Sequence, residues 1–126
     1  MGNREQILWI TYNGEIYNYL ELKAELKTVA YKFNSQSDKE VLLAAYDFLD
    51  EECIQYFNGM WAFAIPDTRP NELFWFRDHF GIKPFYYYDG KHFIFGSEIK
   101  QLLRFWFVSR RINERAVYKF LAYSAV

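Results

Sequence analysis

The sequence has little cysteine, no charge imbalance and no long apolar run. Cys53 is the single cysteine in 126 residues, so the chain cannot form an internal disulfide, and it is compatible with a reducing compartment. The 15 basic and 16 acidic side chains nearly cancel, which argues against the basic face that nucleic acid or an anionic membrane requires. No apolar run approaches the roughly 20 residues of a membrane-spanning helix, and no signal peptide precedes the first predicted strand. We expect a cytoplasmic protein without nucleic-acid or membrane partners.

Aromatic residues are abundant. They make up 22% of the chain, within a hydrophobic content of 52% that is ordinary for a soluble globular protein. Aromatic side chains favour strands, and their excess also allows for a surface that a partner covers. The length suits one compact domain.

The first part of the chain predicts a strand and a helix. Residues 6–12 are apolar and rich in β-formers, and Asn13-Gly14 is typical of a tight turn after such a strand. Residues 17–27 mix apolar and charged residues in a helical pattern. Four charged side chains of that helix are expected to face solvent: Glu21, Lys23, Glu25 and Lys27.

A second helix is predicted to begin after Ser37. Its serine is a good N-cap, and Glu40 stands at the reciprocal position of a capping box. The inner face is expected to carry Val41, Leu42, Ala45 and Leu49. A short helical continuation is predicted over residues 50–57.

The second half predicts strands followed by helices. Strands are expected over 59–65, 72–76, 85–88 and 92–95, with turns at 66–71 and at Asp89-Gly90, and helices over 98–103 and 113–121. This order predicts the α+β class, with packed sheet and helix layers rather than a wound parallel sheet.

Five segments carry a specific resemblance. They are YNGEIYN at 12–18, SDKE at 37–40, FNGMWAFA at 57–64, RDHFGIKPFYY at 77–87 and GSEIKQLL at 96–103. Together and in this order they resemble the later part of the class II, or N-terminal-nucleophile, glutamine amidotransferase domain of glutamine-hydrolysing asparagine synthetases. The resemblance implies an N-terminal-nucleophile hydrolase fold, an αββα layered sandwich of antiparallel sheets. It also implies that residues 1–126 are a single partial domain, incomplete at its N-terminus.

Asn13-Gly14 has two interpretations. By itself the dipeptide is a common turn signal. In the family the resemblance points to, it forms the oxyanion hole, which must hold hydrogen-bond donors in place before charge develops on the amide oxygen. The resemblance assigns that role, and contact with substrate, to Asn13 and Gly14.

Glu15 and Asp38 are the other candidate binding residues. Free glutamine carries an α-ammonium group, and carboxylates are the acceptors that recognise it. The resemblance assigns glutamine binding to both side chains. For Asp38, compensation of a helix dipole in a first turn is an alternative that is compatible with binding.

The remaining motifs suggest structural roles. The segment around Lys83-Pro84 is a sharp turn in which Arg77 and Asp78 could form a local ion pair, and family members place it near the ammonia path. Residues 58–64 are expected to be a core strand. The aromatic and cationic side chains of residues 103–115 allow nucleic-acid binding, but an interdomain surface is the preferred interpretation.

The sequence assigns no catalytic or metal-binding role to the cysteine or to the histidines. The family's nucleophile is the cysteine exposed by removal of the initiator Met, so that its own α-amine acts as base, whereas Gly2 stands at that position here. Cys53 lies within a helical stretch with no amine beside it, so it is not expected to be the nucleophile. His79 and His92 lack metal-ligand spacing, and we expect neither metal nor cofactor in this chain.

The resemblance also defines what is missing. The catalytic cysteine, the Arg-His-Arg-Gly-Pro-Asp segment whose arginine binds the glutamine carboxylate, and the synthetase domain with its pyrophosphate loop are not in the sequence. We therefore expect part of a longer enzyme that hydrolyses glutamine and uses the ammonia for ATP-dependent amidation of aspartate. ATP and magnesium would bind the synthetase domain, which is also the expected partner. Exposed strand edges would favour a homo-oligomer.

Two alternatives are compatible with the sequence. One is a non-catalytic amidotransferase-like module for binding or assembly. The other is an amidotransferase with a different acceptor, of the sugar-modifying or β-lactam-forming type.

The first prediction concerns the chain by itself. Without the nucleophile, the 126-residue chain should release no ammonia from glutamine above background. A coupled ammonia assay on the purified chain tests this. Ammonia release that Asn13→Ala abolishes would show the prediction wrong.

Overall fold

A computed structural model describes residues 1–2 and 7–124 of the chain. The chain divides into two compact units, residues 1–85 and 86–126. The prediction of one domain over 1–126 stays a prediction.

The first unit contains a three-stranded antiparallel sheet. Its strands are β1 (Thr11–Ile16), β2 (Gly59–Asp67) and β3 (Glu72–Arg77), in the order β1-β2-β3. The central strand β2 is the most apolar, with residues 61–65 all buried. A strand paired on both sides and covered on both faces is expected to be apolar at successive positions rather than at alternate ones. This explains why the sequence predicted a strand over 59–65. The prediction that Pro66 and Asp67 lie in the turn is wrong, because both pair with β3.

Strand β1 differs from the prediction. Residues 7–10 form isolated bridges and loop hydrogen bonds, and the strand itself runs from Thr11 to Ile16. Gln6, at the start of the predicted strand, lies outside the described residues. Asn13 and Gly14 are not a turn, because they pair with Ala62 and Trp61 of β2. Pairing along a whole strand outweighs the local turn preference of an Asn-Gly dipeptide, and the chain turns after Ile16 instead.

Two glycines allow β1 and β2 to lie close together. A Cβ atom on Gly14 would meet the main chain of β2, with the Trp61 Cα at 2.6 Å. A Cβ atom on Gly59 would meet the main chain of Glu15 in return. Neither obstacle is a side chain that could move away, so both positions require glycine.

Three helical segments cover the sheet. Helix α1 spans Tyr19–Thr28 and α2 spans Asp38–Leu49, which a 3₁₀ helix, Asp50–Tyr56, continues. Helix α2 is buried over residues 40–46, and it forms one core with apolar residues of β1 and β2. The central rings pack at aromatic contact distances, with the Tyr46 and Phe74 rings stacked at 5.0 Å.

Two predictions about the helices are wrong. Lys23 does not face solvent with the other charges of α1; it is 4% exposed. Glu40 does not form a capping box with Ser37, because its carboxylate accepts from the N–H groups of Asn34 and Ser35. Ser37 is nevertheless the N-cap, and its hydroxyl accepts from the Lys39 N–H at 3.2 Å. In both cases the loop of residues 31–37 supplies partners that helical spacing does not reveal.

Asp78 organises the loop after β3. Its buried carboxylate accepts from four main-chain N–H groups, those of Trp61, Phe80, Ile82 and Lys83, at 2.9–3.3 Å. Burial opposes ionisation, but these four bonds outweigh it and hold the pKa of Asp78 below its ordinary value. The ion pair suggested between Arg77 and Asp78 is wrong, since the Arg77 guanidinium donates to the carbonyl groups of Gly81 and Lys83.

The second unit is smaller and more exposed. It has the antiparallel hairpin of β4 (Tyr86–Asp89) and β5 (Phe93–Gly96), then α3 (Ile99–Leu102) and α4 (Glu114–Tyr123). Asn113 caps α4 as predicted, accepting from the Ala116 N–H at 3.1 Å. No side chain of α4 is buried.

The predicted α+β class with antiparallel sheets is confirmed. Within the described residues, no helix combines the length and the apolar character needed to cross a membrane.

The second prediction concerns Asp78. Replacing it with asparagine removes the charge and places an amide donor against main-chain donors, so Asp78→Asn should lower the free energy of unfolding of the first unit by roughly 1–3 kcal/mol. Urea denaturation measures this. Glu72→Gln, at an exposed position of β3, is the matched control and should change this free energy by less than about 0.5 kcal/mol.

The same substitution should change the response to acid. The pKa of Asp78 is lower in the folded chain than in the unfolded chain. Its contribution to folding stability is therefore fully present at a pH above the ordinary pKa of about 3.9, and it is lost as the pH falls through the pKa of the folded state. Asp78→Asn should therefore flatten the decline in stability below about pH 4. An unchanged acid profile would contradict the role given to this carboxylate.

Candidate functional site

A polar cleft lies where β1 ends and α2 begins. It has a volume of about 330 Å³. Six residues line it: Gly14, Glu15, Tyr19, Gln36, Ser37 and Asp38. All six belong to three short segments of the first unit, namely the end of β1, the start of α1, and the last loop residues before α2 together with its first residue. The cleft is large enough for a small metabolite.

Asp38 joins the two sides of this cleft. Its Oδ2 accepts from the Tyr12 hydroxyl at 2.6 Å and from the Ile16 N–H at 3.3 Å. Its Oδ1 accepts from the Lys39 N–H at 2.9 Å. The first residue of α2 is thus attached to β1 by its side chain, and the carboxylate is fixed relative to Gly14 and Glu15.

Tyr12 is held as a neutral donor. Burial raises the pKa of its hydroxyl, and the hydrogen bond to Asp38 and the charge of that carboxylate raise it further. The Lys39 ammonium lies over its ring, 5.9 Å from the centroid. The hydroxyl therefore stays protonated at ordinary pH and donates to Asp38.

The structure brings together three of the four predicted site residues. Gly14, Glu15 and Asp38 line the cleft, although they are up to 24 positions apart in the sequence. Asn13 is half-buried in β1 and is not among the lining residues. Alternation along the strand places its side chain on the same face of the sheet as Glu15, which does line the cleft. The oxyanion role of Asn13 and Gly14 stays a prediction.

Sequence reasoning missed four residues at this site. Tyr19, Gln36 and Ser37 line the cleft, and Tyr12 holds Asp38. Ser37 was predicted only as a cap. Once residues 11–16 are known to be a strand, its alternation would have placed Tyr12 beside Gly14 on one face. Nothing in the local sequence indicates that Gln36 reaches the cleft, because a loop conformation places it there.

The chemistry of the cleft suits a small cationic group. Two carboxylates, those of Glu15 and Asp38, are present with neutral polar side chains and no basic residue among those that line the cleft. Carboxylates at fixed positions recognise an ammonium group by charge-assisted hydrogen bonds. Across residues 1–2 and 7–124, no group of three or more His, Cys, Asp or Glu side chains is arranged to hold a metal ion.

Cys53 is remote from this chemistry. Cys53 lies on the 3₁₀ helix, is 0% exposed and belongs to the hydrophobic core. Burial, and next the charge of Asp50, raise the pKa of its thiol to about 12. A thiol in this state is protonated and inaccessible, and it is not a nucleophile.

Comparison with known families decides the relationship. Residues 1–126 match the family model described as glutamine amidotransferase domain. The chain belongs to this family. In this amidotransferase domain the cleft is lined by residues of β1, of α1 and of the segment that begins α2.

Curated relatives are consistent with the family. The chain is 44% identical over 105 residues to asparagine synthetase (glutamine-hydrolyzing) 3 of Bacillus subtilis, covering 82% of this chain and 17% of that protein. It is 46% identical over 104 residues to asparagine synthetase (glutamine-hydrolyzing) 1 of the same organism, covering 82% and 16%. The chain thus spans about a sixth of the length of these relatives.

A solved structure supports the fold of this amidotransferase domain. The glutamine phosphoribosylpyrophosphate amidotransferase from B. subtilis, complexed with ADP and GMP, superposes with a TM-score of 0.62 over 71% of this chain and 21% of that one. The identity is 23%, so the likeness concerns the fold alone. The predicted N-terminal-nucleophile hydrolase type is confirmed.

The third prediction tests the glycine at the cleft. Gly14→Ala would place a methyl group against the main chain of Met60 and Trp61, so it should separate β1 from β2 and destabilise the first unit by more than about 2 kcal/mol. Thermal or urea unfolding measures this. Gly90→Ala is the control, since the nearest atoms to its added Cβ belong to the Tyr88 side chain, which can move aside, and not to main chain. Equal stability of the two variants would contradict the close approach.

Proposed function

We propose that the chain forms the glutamine-binding part of an amidotransferase domain that supplies ammonia to an asparagine synthetase. Glu15 and Asp38 accept hydrogen bonds from the α-ammonium group of glutamine. Asn13 and Gly14 provide the donors for the oxyanion that forms when the side-chain amide is attacked. The amide nitrogen then leaves as ammonia.

One observation carries this proposal. Asp38 is fixed by Tyr12 and Ile16 next to Gly14 and Glu15, so the group that would bind the α-ammonium lies beside the group that would face the amide. The side chain of free glutamine separates its α-ammonium group from its amide by only a few bonds. A cleft of about 330 Å³ suits a molecule of that size.

Among its described residues the chain offers no thiol or amine nucleophile at this cleft. Cys53 is buried in the core, and the lining residues carry neither a thiol nor an amine. In the proposed enzyme the attacking group is an N-terminal cysteine whose α-amine acts as base. The chain's own residues bind and orient glutamine and stabilise the negative charge.

The acceptor chemistry belongs to a longer protein in this proposal. The relatives are named as glutamine-hydrolyzing asparagine synthetases, and this chain covers only a sixth of their length. The ammonia would amidate ATP-activated aspartate in a synthetase domain, which would bind ATP and magnesium in the cytoplasm. The exposed aromatic side chains of the second unit, among them Trp106 at 92%, are consistent with such a partner domain.

The fourth prediction separates glutamine binding from synthesis. In the full-length protein, Asp38→Asn should raise the KM for glutamine at least tenfold, because a carboxylate acceptor of the ammonium group is lost. Asparagine formation from aspartate, ATP and free ammonia should stay within about twofold of the unaltered protein, since free ammonia bypasses this cleft. Asp89→Asn, at an exposed hairpin position, is the matched control.

Two results would overturn the proposal. If the full-length protein forms no asparagine with either nitrogen source, the proposed acceptor is wrong. If Asp38→Asn leaves the KM for glutamine unchanged while the unaltered protein is active, the assignment of the cleft is wrong.

A further inference from the structure

The loop of residues 31–37 forms one wall of the cleft, and two buried charges hold it. Lys23 on α1 is 4% exposed and Glu40 on α2 is 9% exposed. Both belong to residue types that are almost never fully buried unless they are paired. Neither lines the cleft, so their burial requires another explanation.

Their hydrogen bonds converge on a single residue of the loop. Glu40 accepts from the Ser35 N–H at 2.6 Å and from the Ser35 hydroxyl at 2.6 Å. Lys23 donates to the Ser35 carbonyl oxygen at 2.5 Å. Ser35 is therefore held through both of its peptide groups and its side chain, which leaves it little conformational freedom.

The same two charges hold the neighbours of Ser35. Glu40 also accepts from the Asn34 N–H at 2.7 Å, and Lys23 also donates to the Gln36 Oε1 at 3.0 Å. The Lys23 ammonium lies over the Phe33 ring, 5.0 Å from its centroid. Every residue from 33 to 36 thus contacts one of the two charges, and the three residues that follow Ser35 line the cleft.

Stability alone does not account for this arrangement. Buried charges are costly to desolvate, and well-packed apolar residues in their place are often as stable. What such charges supply is one defined geometry, because each hydrogen bond fixes a direction. Burial opposes ionisation of Glu40, but its hydrogen bonds from Ser35 and Asn34 hold its pKa below the ordinary value, so the carboxylate stays charged.

We propose that Lys23 and Glu40 are positioning residues that fix the Gln36–Ser37–Asp38 wall of the cleft for glutamine. The inference rests on the proposed function for its substrate, and on the contacts of Ser35 for its mechanism. Loss of either charge should loosen residues 34–36 without unfolding the sheet. Glutamine should then bind less tightly, while the bound substrate still reacts.

The fifth prediction has two independent readouts. In the 126-residue chain, Lys23→Met and Glu40→Gln should each reduce hydrogen-exchange protection of the Asn34 and Ser35 amides at least tenfold, as followed by NMR. Protection of the Phe63 amide in β2 should change by less than threefold, which distinguishes local loosening from global unfolding.

In the full-length protein the same variants should raise the KM for glutamine about tenfold and change kcat by less than threefold. Lys23→Arg keeps the charge and should recover at least half of the lost affinity on a logarithmic scale. Lys27→Met and Glu51→Gln, at exposed positions of α1 and the 3₁₀ helix, are the matched controls and should resemble the unaltered protein.

Each outcome decides between the two proposals. Unchanged protection of Asn34 and Ser35, or loosened amides with an unchanged KM, would overturn the positioning role. A lower kcat, a higher KM and reduced protection of the Phe63 amide, all by similar factors, would indicate a merely structural role and would also overturn the positioning role. If the unaltered protein shows no glutamine-dependent activity, the proposed function fails. The exchange data then still decide whether the two charges fix this wall.

Discussion

The close approach of β1 to β2 is the constraint on which the first unit depends. Gly14 and Gly59 lie where a side chain on either strand would meet the main chain of the other. This contact fixes the register, and the register decides which residues of β1 face the helices. Tyr12, Gly14 and Ile16 share one face as a result. A shift of one residue would turn Tyr12 away from Asp38 and dismantle the cleft.

The two carboxylates of the cleft come from two separate elements, and no single sequence motif forms it. Strand β1 supplies main chain and a carboxylate, while the start of α2 supplies a second carboxylate that Tyr12 and Ile16 hold in place. The N-terminus of α2 also favours negative charge through its dipole. Substrate binding and helix capping are therefore compatible uses of the same few residues, as the two interpretations of Asp38 allowed.

Strands and helices were predictable from the sequence where pattern and packing agree. β2, α2 and the cap at Asn113 were found because burial or capping leaves a local signal. Asn13-Gly14 was misassigned as a turn because pairing with β2, a contact distant in sequence, outweighs local preference. Lys23 and Glu40 were misassigned because their partners lie in an irregular loop. Gly14, Glu15 and Asp38 were identified only through resemblance to a family, since no spacing rule brings them together.

The burial of Cys53 gives the chain an internal reporter. Cys53 is the single cysteine of the chain, and it is buried on the 3₁₀ helix that follows α2. Its thiol can therefore be alkylated only when that part of the core opens. The rate of labelling under native conditions would thus count the openings of the layer that supports Asp38 and Glu40. A residue with no part in the chemistry can thus be used to measure how often the elements that support the cleft open locally.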